Sequence, residues 1–307
     1  MPAAVLLAFL LTAPQFLGTA VIGLLSKILI FSLIGMSLDI VFGYAGMWSF
    51  GHAALAGVGS YTAAILIEKA GISSFWIIAP ASLIVAGIIS ALIGAISLRT
   101  SGIYFLLITF ALGQLVYSIV FKWRPLTGGF DGLGGIPYPD LGFFEVNGPI
   151  FYYFMLFFII LCAFLIYSIL KSPFGYALQG IREDETRMQA LGYNTWLYKL
   201  IAFIVSGLFA GVGGLLYVYY NGLIAPANIG MDASGLIMIM IIIGGGGTLW
   251  GAIFGSAIIF LVQYYVSIFI PERWPIVLGV CFIAAVFLAR AGVFPRLNEA
   301  WKRLIKT

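Results

Sequence analysis

Two ionisable side chains inside apolar segments, Asp39 and His52, are the residues best suited to proton or ion chemistry. An isolated charge near the centre of a membrane-spanning helix costs about 2.5–3.5 kcal/mol, so Asp39 needs a partner or water. Asp39 is interpreted either as a polar contact along a translocation path or as a cap for nearby backbone. His52 is the only histidine, which argues against a histidine metal site and leaves either single-proton coupling or hydrogen bonding to nearby backbone.

Two glycine-rich segments, Gly43–Gly46 and Gly244–Gly247, each join two apolar runs. The chain has no glycine loop followed by the Lys-Ser/Thr pair of a nucleotide-binding site, so these segments are interpreted as tight helix junctions and any ATP must bind another chain. Their similar glycine spacing predicts a repeat of two halves, with chance similarity as the alternative. The tentative translocation path comprises Asp39, Gly43, Gly46, Ser49, Gly51 and His52.

The one concentrated run of charge, residues 182–187, lies in a polar interval from Lys171 to Lys199. Ser172 followed by Pro173 is typical of a helix start, and Gly192 is placed to end the helix. The spacing predicts one short amphipathic helix, lying either in the groove of a protein partner or flat on the membrane. Its acids disfavour anionic lipid, so a protein partner is preferred. The predicted contact residues are Leu178, Ile181, Arg182, Glu183, Asp184, Glu185, Met188, Leu191 and Gly192.

Composition identifies the elements that must position these residues. Hydrophobic residues make up 63% of the 307 residues and charged residues 8%, with a mean hydropathy of +1.13. The sequence predicts a single all-α, polytopic transmembrane domain over residues 1–307, because uninterrupted apolar runs exclude the alternation of a membrane β-barrel. The basic residues are spread through loops, which argues against nucleic-acid binding. About ten spans are predicted near 4–25, 27–45, 50–67, 76–97, 103–122, 150–170, 199–221, 234–247, 249–270 and 275–291.

Orientation follows from the distribution of positive charge. With the 171–199 interval in the cytosol, ten of the 15 Lys and Arg residues lie on the cytosolic side, which predicts that both termini are cytosolic. This places Lys27 in an outer loop between the first two spans. Residues 234–270 could instead form one kinked helix or a re-entrant pair, which would change the span count.

A glycine-rich loop between Lys122 and Asn147 is the longest predicted connection on the outer side. Its Gly and Pro content is typical of a compact, turn-rich segment. The loop is either a connector or a contact for a soluble substrate-delivery protein, through Thr127, Gly128, Gly129 and Asp131.

Several motifs occur in one order: Gly43-Tyr44-Ala45-Gly46 with Ser49 to Ala54, Leu126 to Gly129 with Asp131 to Leu133, and Ser172 to Leu178. The order continues through Ile181 to Glu185, Ala190 to Asn194, Lys199 to Phe203 and Gly244 to Gly251. This set resembles the membrane permease subunits of branched-chain amino acid ABC transporters from about residue 35 to 291. Met47 and the run Thr186-Arg187-Met188 depart from the residues common in that family.

The resemblance implies a type II-like importer permease in the cytoplasmic (inner) membrane. Its implied partners are a homologous second permease, cytosolic ATPases that bind ATP and Mg, a soluble binding protein and membrane lipid. No cofactor and no enzymatic site are expected in this chain. The resemblance also implies that residues 171–199 are the segment that couples the permease to the ATPases. Transport of urea or short amides, an ion-coupled secondary transporter, and a channel or structural subunit remain alternatives.

Overall fold

A computed structural model describes residues 10–142, 146, 148–269 and, further on, 276, 277, 279, 280, 283 and 287. The predicted span at 275–291 and residues 4–9 of the predicted first span therefore fall largely outside the described residues. The described chain is helical except for loops and two paired strands of two residues each. The helices are α1 (10–16), α2 (Thr19–Asp39), α3 (His52–Glu68), α4 (Phe75–Ser97), α5 (Ile103–Lys122), α6 (Arg124–Thr127), α7 (Gly148–Leu170), α8 (Pro173–Glu183), α9 (Glu185–Ala190), α10 (Thr195–Asn221), α11 (Met231–Gly244) and α12 (Leu249–Phe269).

Six of the described helices are long and apolar enough to cross a membrane. The prediction of an all-α polytopic membrane protein is confirmed at this level, whereas about ten spans remain a prediction. The 14-residue α11 is shorter, about 21 Å at 1.5 Å per residue, against a hydrocarbon core of about 30 Å. The Gly245–Thr248 segment separates α11 from α12, so one continuous helix over 234–270 is excluded.

The predicted boundary between the first two spans is wrong. Residues 10–16 form one helix, and α2 then runs without interruption from Thr19, so Lys27 lies inside a helix rather than in an outer loop. The wrong boundary arises because charge is the usual marker of a span end, whereas this single Lys lies inside an apolar helix.

Glycines allow α10 to pack closely at the centre of the bundle, against α2, α3 and α4. A Cβ on Gly214 would lie 1.8 Å from the Ala56 carbonyl oxygen, and one on Gly207 would lie 1.7 Å from Ser90 Oγ. Ser60 donates a 2.6 Å hydrogen bond to the Gly214 carbonyl oxygen. Small residues let helix backbones approach in this way and place polar side chains against the exposed carbonyls.

The loop after α5 is held to the loop after α10 by the two short strands, β1 (Leu133–Gly134) and β2 (Leu223–Ile224), which pair antiparallel. Thr127 Oγ1 donates to the Val120 carbonyl oxygen at 2.5 Å and anchors the short helix α6 to α5. The predicted turn-rich loop is therefore folded onto the end of α5 and held to the loop after α10.

Candidate functional site

The C-terminal end of α2 passes into a five-residue π-helix, Ile40–Tyr44, before the chain becomes irregular and α3 starts at His52. Such wide turns are rare and occur frequently at functional sites. Gly46 has φ +71°, a left-handed value that favours glycine. The predicted helix break is thus present, with the π-helix as its first part.

Gly43 brings the two glycine segments into direct contact. A Cβ at this position would lie 2.1 Å from Asp39 Oδ1 and 2.2 Å from the Gly247 nitrogen. Asp39 Oδ1 accepts a 2.7 Å hydrogen bond from the Gly247 backbone N–H, and the side chain is fully buried. We call the contact of Asp39, Gly43 and Gly247 the glycine junction. The Asp39 side chain is therefore hydrogen-bonded to the backbone of the second glycine segment through Oδ1. Its Oδ2 has no hydrogen-bond partner among the described residues.

Arg182 of α8 connects the polar interval to the glycine junction. Its Nη1 donates a short hydrogen bond to the Gly43 carbonyl oxygen. The same guanidinium lies beside Gly247, where an added Cβ would be 3.4 Å from Nη1, and the arginine side chain also packs on Gly46. A movement of α8 would therefore act directly on both glycine segments.

The polar interval differs from the single helix that the sequence predicts. Asp184 has an extended backbone, with φ −156° and ψ 97°, and divides the interval into α8 and α9. Its Oδ1 accepts a 2.9 Å hydrogen bond from the Arg187 N–H and so caps α9. The apolar spacing was compatible with one helix because the break changes the direction of the backbone without an intervening Gly or Pro.

The predicted apolar stripe is split between the interior and the surface. Leu178 is completely buried and Ile181 is 3% exposed, whereas Leu191 is 68% exposed. The expectation that Leu178 and Ile181 fill a partner's groove is therefore wrong, since these side chains anchor α8 to this chain's own bundle. Met188 is half-buried and lies close to Gly180 of α8.

Two further contacts tie the interval to α10. Lys199 Nζ lies 2.5 Å from Glu185 Oε1, and Gln189 donates a 3.0 Å hydrogen bond to Thr195 Oγ1. Asn194 Oδ1 accepts a 3.1 Å hydrogen bond from the Leu197 N–H and so caps the following helix, α10. Glu183 and Gly192 are exposed, and Glu183 forms no ion pair among the described residues.

The remaining path residues are packed into the bundle. His52 is fully buried, its Nε2 lies 2.9 Å from Ser37 Oγ and 3.4 Å from Ser206 Oγ, and its hydrogen bonds join three helices. Ser49 is buried, and an added Cβ on Gly51 would be 2.5 Å from the Thr109 carbonyl oxygen. These residues support helix packing around the break, and none of the six predicted path residues lines the large cavity described next.

A cavity of about 630 Å³ lies among α2, α3, α10, α11 and α12. Its wall is largely apolar, but Lys27, Asp232 and Gln263 also contribute to it. Sequence reasoning missed this site because the residues come from distant parts of the chain. The available signal was Lys27, a charge within an apolar run that was interpreted as a loop.

In the outer loop, Gly128, Gly129 and Gly132 all have φ between +65° and +75° and form tight turns. Gly129 and Asp131 bound a single 3-10 turn. The predicted contact residues therefore lie together, but Thr127 and Gly129 are buried, and the prominent exposed side chain is Phe130, at 70%.

Comparison with known families shows that residues 20–286 match the family described as branched-chain amino acid transport system / permease component. The chain belongs to this permease family. The resemblance seen in the sequence motifs is thereby confirmed, and the helical bundle is that of a multi-pass membrane transport component.

Individual members of the permease family match most of the chain. The high-affinity branched-chain amino acid transport system permease protein LivM of Salmonella typhimurium is 26% identical, over 97% of this chain and 75% of its own length. The probable permease proteins LivM and LivH of Methanocaldococcus jannaschii are 25% and 24% identical. These alignments cover 81% and 92% of this chain and 83% and 93% of those proteins. No solved structure matches the chain.

Proposed function

We propose that this chain is a permease subunit of an ABC importer that moves branched-chain amino acids across the cytoplasmic membrane. It works by alternating access with a homologous second permease, cytosolic ATPases that bind ATP and Mg, and a soluble binding protein on the outer side. Both termini lie in the cytosol. The fold is type II-like, and the two glycine segments belong to repeated halves that meet at the glycine junction.

The hydrogen bond from Arg182 to the Gly43 carbonyl oxygen is the observation that carries this proposal. It joins a polar helix pair outside the spans to the end of a spanning helix. The glycine junction then passes a displacement of Gly43 to Gly247, within the α11–α12 connection. Closely packed elements transmit such shifts because packed interfaces do not deform continuously.

The ATPase contact is formed by the exposed side of α8 and α9, which we call the coupling surface. Its members are exposed side chains in the polar interval: Tyr176, Glu183, Thr186, Arg187 and Leu191. Leu178 and Ile181 are buried on the opposite side of α8 and attach the coupling surface to the bundle. Asp184 shapes the surface through its cap of α9, and Glu185 fixes it to α10 through Lys199.

The binding protein docks on the folded outer loop. Trp123 and Phe130, which are 54% and 70% exposed, supply aromatic anchors of the kind enriched in protein interfaces. The turns at Gly128, Gly129 and Gly132 hold these anchors in place, and the buried Thr127 shapes the loop through its bond to Val120. Asp131 is exposed and lies next to Phe130 in the same turn.

Uptake by the complete complex tests the function. The chain would be purified with its companion permease and ATPases, reconstituted into proteoliposomes, and supplied with binding protein and radiolabelled leucine, isoleucine, valine or urea. We expect ATP-dependent uptake of the three amino acids and no uptake of urea. Uptake that requires an ion gradient but no ATP would contradict the proposal.

A charge reversal tests the coupling surface in the same complex. Glu183→Arg is expected to weaken ATPase association and uptake together, while Glu68→Arg, the same change at the far end of α3, leaves both unchanged. If the Glu183→Arg complex associates with the ATPases as the unaltered complex does, Glu183 is not part of the coupling surface. Asp184→Arg is unsuitable as a test because it also destroys the cap of α9.

A further inference from the structure

The 630 Å³ cavity among α2, α3, α10, α11 and α12 combines opposite charges with an apolar wall. Ligand cavities in proteins commonly have volumes of about 300–1,000 Å³, with few polar groups in a mostly apolar lining. We infer that this cavity binds an α-amino acid with an aliphatic side chain, with Lys27 on its carboxylate and Asp232 and Gln263 on its ammonium group. This inference rests on the proposed function and specifies the site at which that function is carried out.

Lys27 supplies the positive charge. It is the ninth residue of α2, and its Nζ is 4.7 Å from the centre of the Phe260 ring. It forms no ion pair in the described part of the chain. An ammonium group inside a membrane bundle needs an anion or water, and a face of an aromatic ring supplies only part of that need. A ligand carboxylate would complete its environment.

Asp232 and Gln263 supply acceptors for an ammonium group. Asp232 is in the first turn of α11, is exposed, and forms no ion pair with the described residues. Gln263 Oε1 is buried and has no hydrogen-bond partner among them. A buried acceptor without a partner is costly, so a donor brought by a ligand would be favourable there. Asn228, also on the wall, is already bonded to Tyr217 and to the Ala225 backbone, and is not available.

The rest of the wall selects the ligand side chain. Phe31, Ile34, Phe50, Leu236 and Ile237 surround the cavity with hydrocarbon and offer no hydrogen-bonding group at their side chains. An aliphatic side chain would bury its surface there, whereas a polar side chain would lose hydrogen bonds to water. The cavity therefore recognises the two charged groups common to amino acids and adds a preference for an apolar side chain.

Direct binding to the assembled complex tests the inference. L-[³H]leucine is titrated in equilibrium dialysis against the complex in nanodiscs without binding protein, with competition by isopentylamine, which lacks the carboxylate, and by 4-methylpentanoate, which lacks the ammonium group. Leucine should bind, and each competitor should bind about tenfold to a hundredfold more weakly, as expected for one lost charged hydrogen-bonding partner.

Three variants assign the charged groups. Lys27→Met and the isosteric Asp232→Asn should each weaken leucine binding by a similar factor. Lys27→Met should also remove the preference for leucine over isopentylamine, while Asp232→Asn removes the preference over 4-methylpentanoate. Lys69→Met, a lysine outside the cavity, should leave binding unchanged. If the Lys27→Met complex does not assemble, the Asp232→Asn complex still tests the inference, because it should lose the preference for leucine over 4-methylpentanoate.

The outcomes separate this inference from the proposed function. If Asp232→Asn and Lys27→Met bind leucine as the unaltered complex does, the cavity assignment is wrong, although leucine uptake by the unaltered complex would keep the function. A zwitterionic lipid that leucine does not displace, detected by mass spectrometry of the purified complex, would also overturn the assignment. If the unaltered complex takes up no branched-chain amino acid, the function and the inference both fail.

Discussion

Replacing Gly43 by alanine is expected to separate the two glycine segments. The new Cβ would lie 2.1 Å from Asp39 Oδ1 and 2.2 Å from the Gly247 nitrogen. These two atoms are themselves joined by the 2.7 Å hydrogen bond of the glycine junction. A normal contact needs more than 3 Å, so both atoms must move by about 1 Å and the bond between them cannot survive unchanged.

The size of the effect follows from two terms. Forcing a methyl group into a packed interior costs about 1–3 kcal/mol, and a hydrogen bond to a charged group contributes about 1.5–3 kcal/mol. The two terms share the same atoms and do not add fully, so we expect Gly43→Ala to destabilise the protein by about 3 kcal/mol. That is a large share of the stability of a typical domain, about 5–15 kcal/mol.

Thermal unfolding in detergent, followed by tryptophan fluorescence and size-exclusion chromatography, measures this loss. Gly23→Ala is the matched control, because Gly23 lies in α2, the helix that leads into the π-helix of Gly43, and its added Cβ would meet only the Tyr220 hydroxyl at an ordinary 3.4 Å. The control should be neutral or slightly stabilising, as expected when alanine replaces glycine in a helix.

A double-mutant cycle then locates the cause. Asp39→Ala removes the same hydrogen bond, so Gly43→Ala should cost at least 1 kcal/mol less in an Asp39→Ala background than alone. A stability of Gly43→Ala equal to that of Gly23→Ala would refute the close approach of the two glycine segments. If the free-energy losses of Gly43→Ala and Asp39→Ala add fully in the double variant, the two substitutions do not act on the same hydrogen bond.

Three further predictions concern the connections at either side of the membrane. Asp184→Ala should lose the cap of α9, worth about 1 kcal/mol, and hydrogen exchange in that helix should accelerate, whereas Asp184→Asn should retain protection. Gly128→Ala should weaken binding-protein affinity more than Gly135→Ala, measured by surface plasmon resonance. Both positions have positive φ, but only the Cβ at 128 meets a main-chain oxygen, at 1.9 Å. Lys199→Met should lower the free energy of unfolding by at most about 1 kcal/mol. This loss should shrink in 0.5 M salt, because Glu185 is 38% exposed and salt screens its attraction to Lys199.

Local signals in the sequence predicted the parts of the fold that depend on neighbours along the chain. Apolar runs predicted the long helices, and Ser172 followed by Pro173 predicted the start of α8. The glycine break near Gly43 was visible because closely spaced glycines seldom occur inside an undisturbed helix. The contact between Gly43 and Gly247 was not visible, since it depends on how segments 200 residues apart pack.

Charge was the less reliable guide. Charged residues usually end a span, which predicts a loop at Lys27, yet the structure keeps this lysine inside α2 beside Phe260. The helical spacing predicts that Leu178 and Ile181 form an apolar stripe opposite the charged run, but spacing alone does not tell whether that stripe meets this chain or a partner. The cavity was missed for a related reason: Asp232 and Gln263 become neighbours of Lys27 only through the packing of α11 and α12 against α2.

The bond between Arg182 and Gly43 has a consequence for genetics. The acceptor is a main-chain oxygen, which every residue at position 43 would carry, so no substitution there can delete it. A new side chain at this position has no space either, because its Cβ would clash with Asp39 and Gly247. Mutations that lose the arginine consequently cannot be rescued by a compensating side chain at position 43. Revertants in a selection for growth on transported substrate should instead restore Arg182 or place a new donor on α8 or on the Gly245–Thr248 connection.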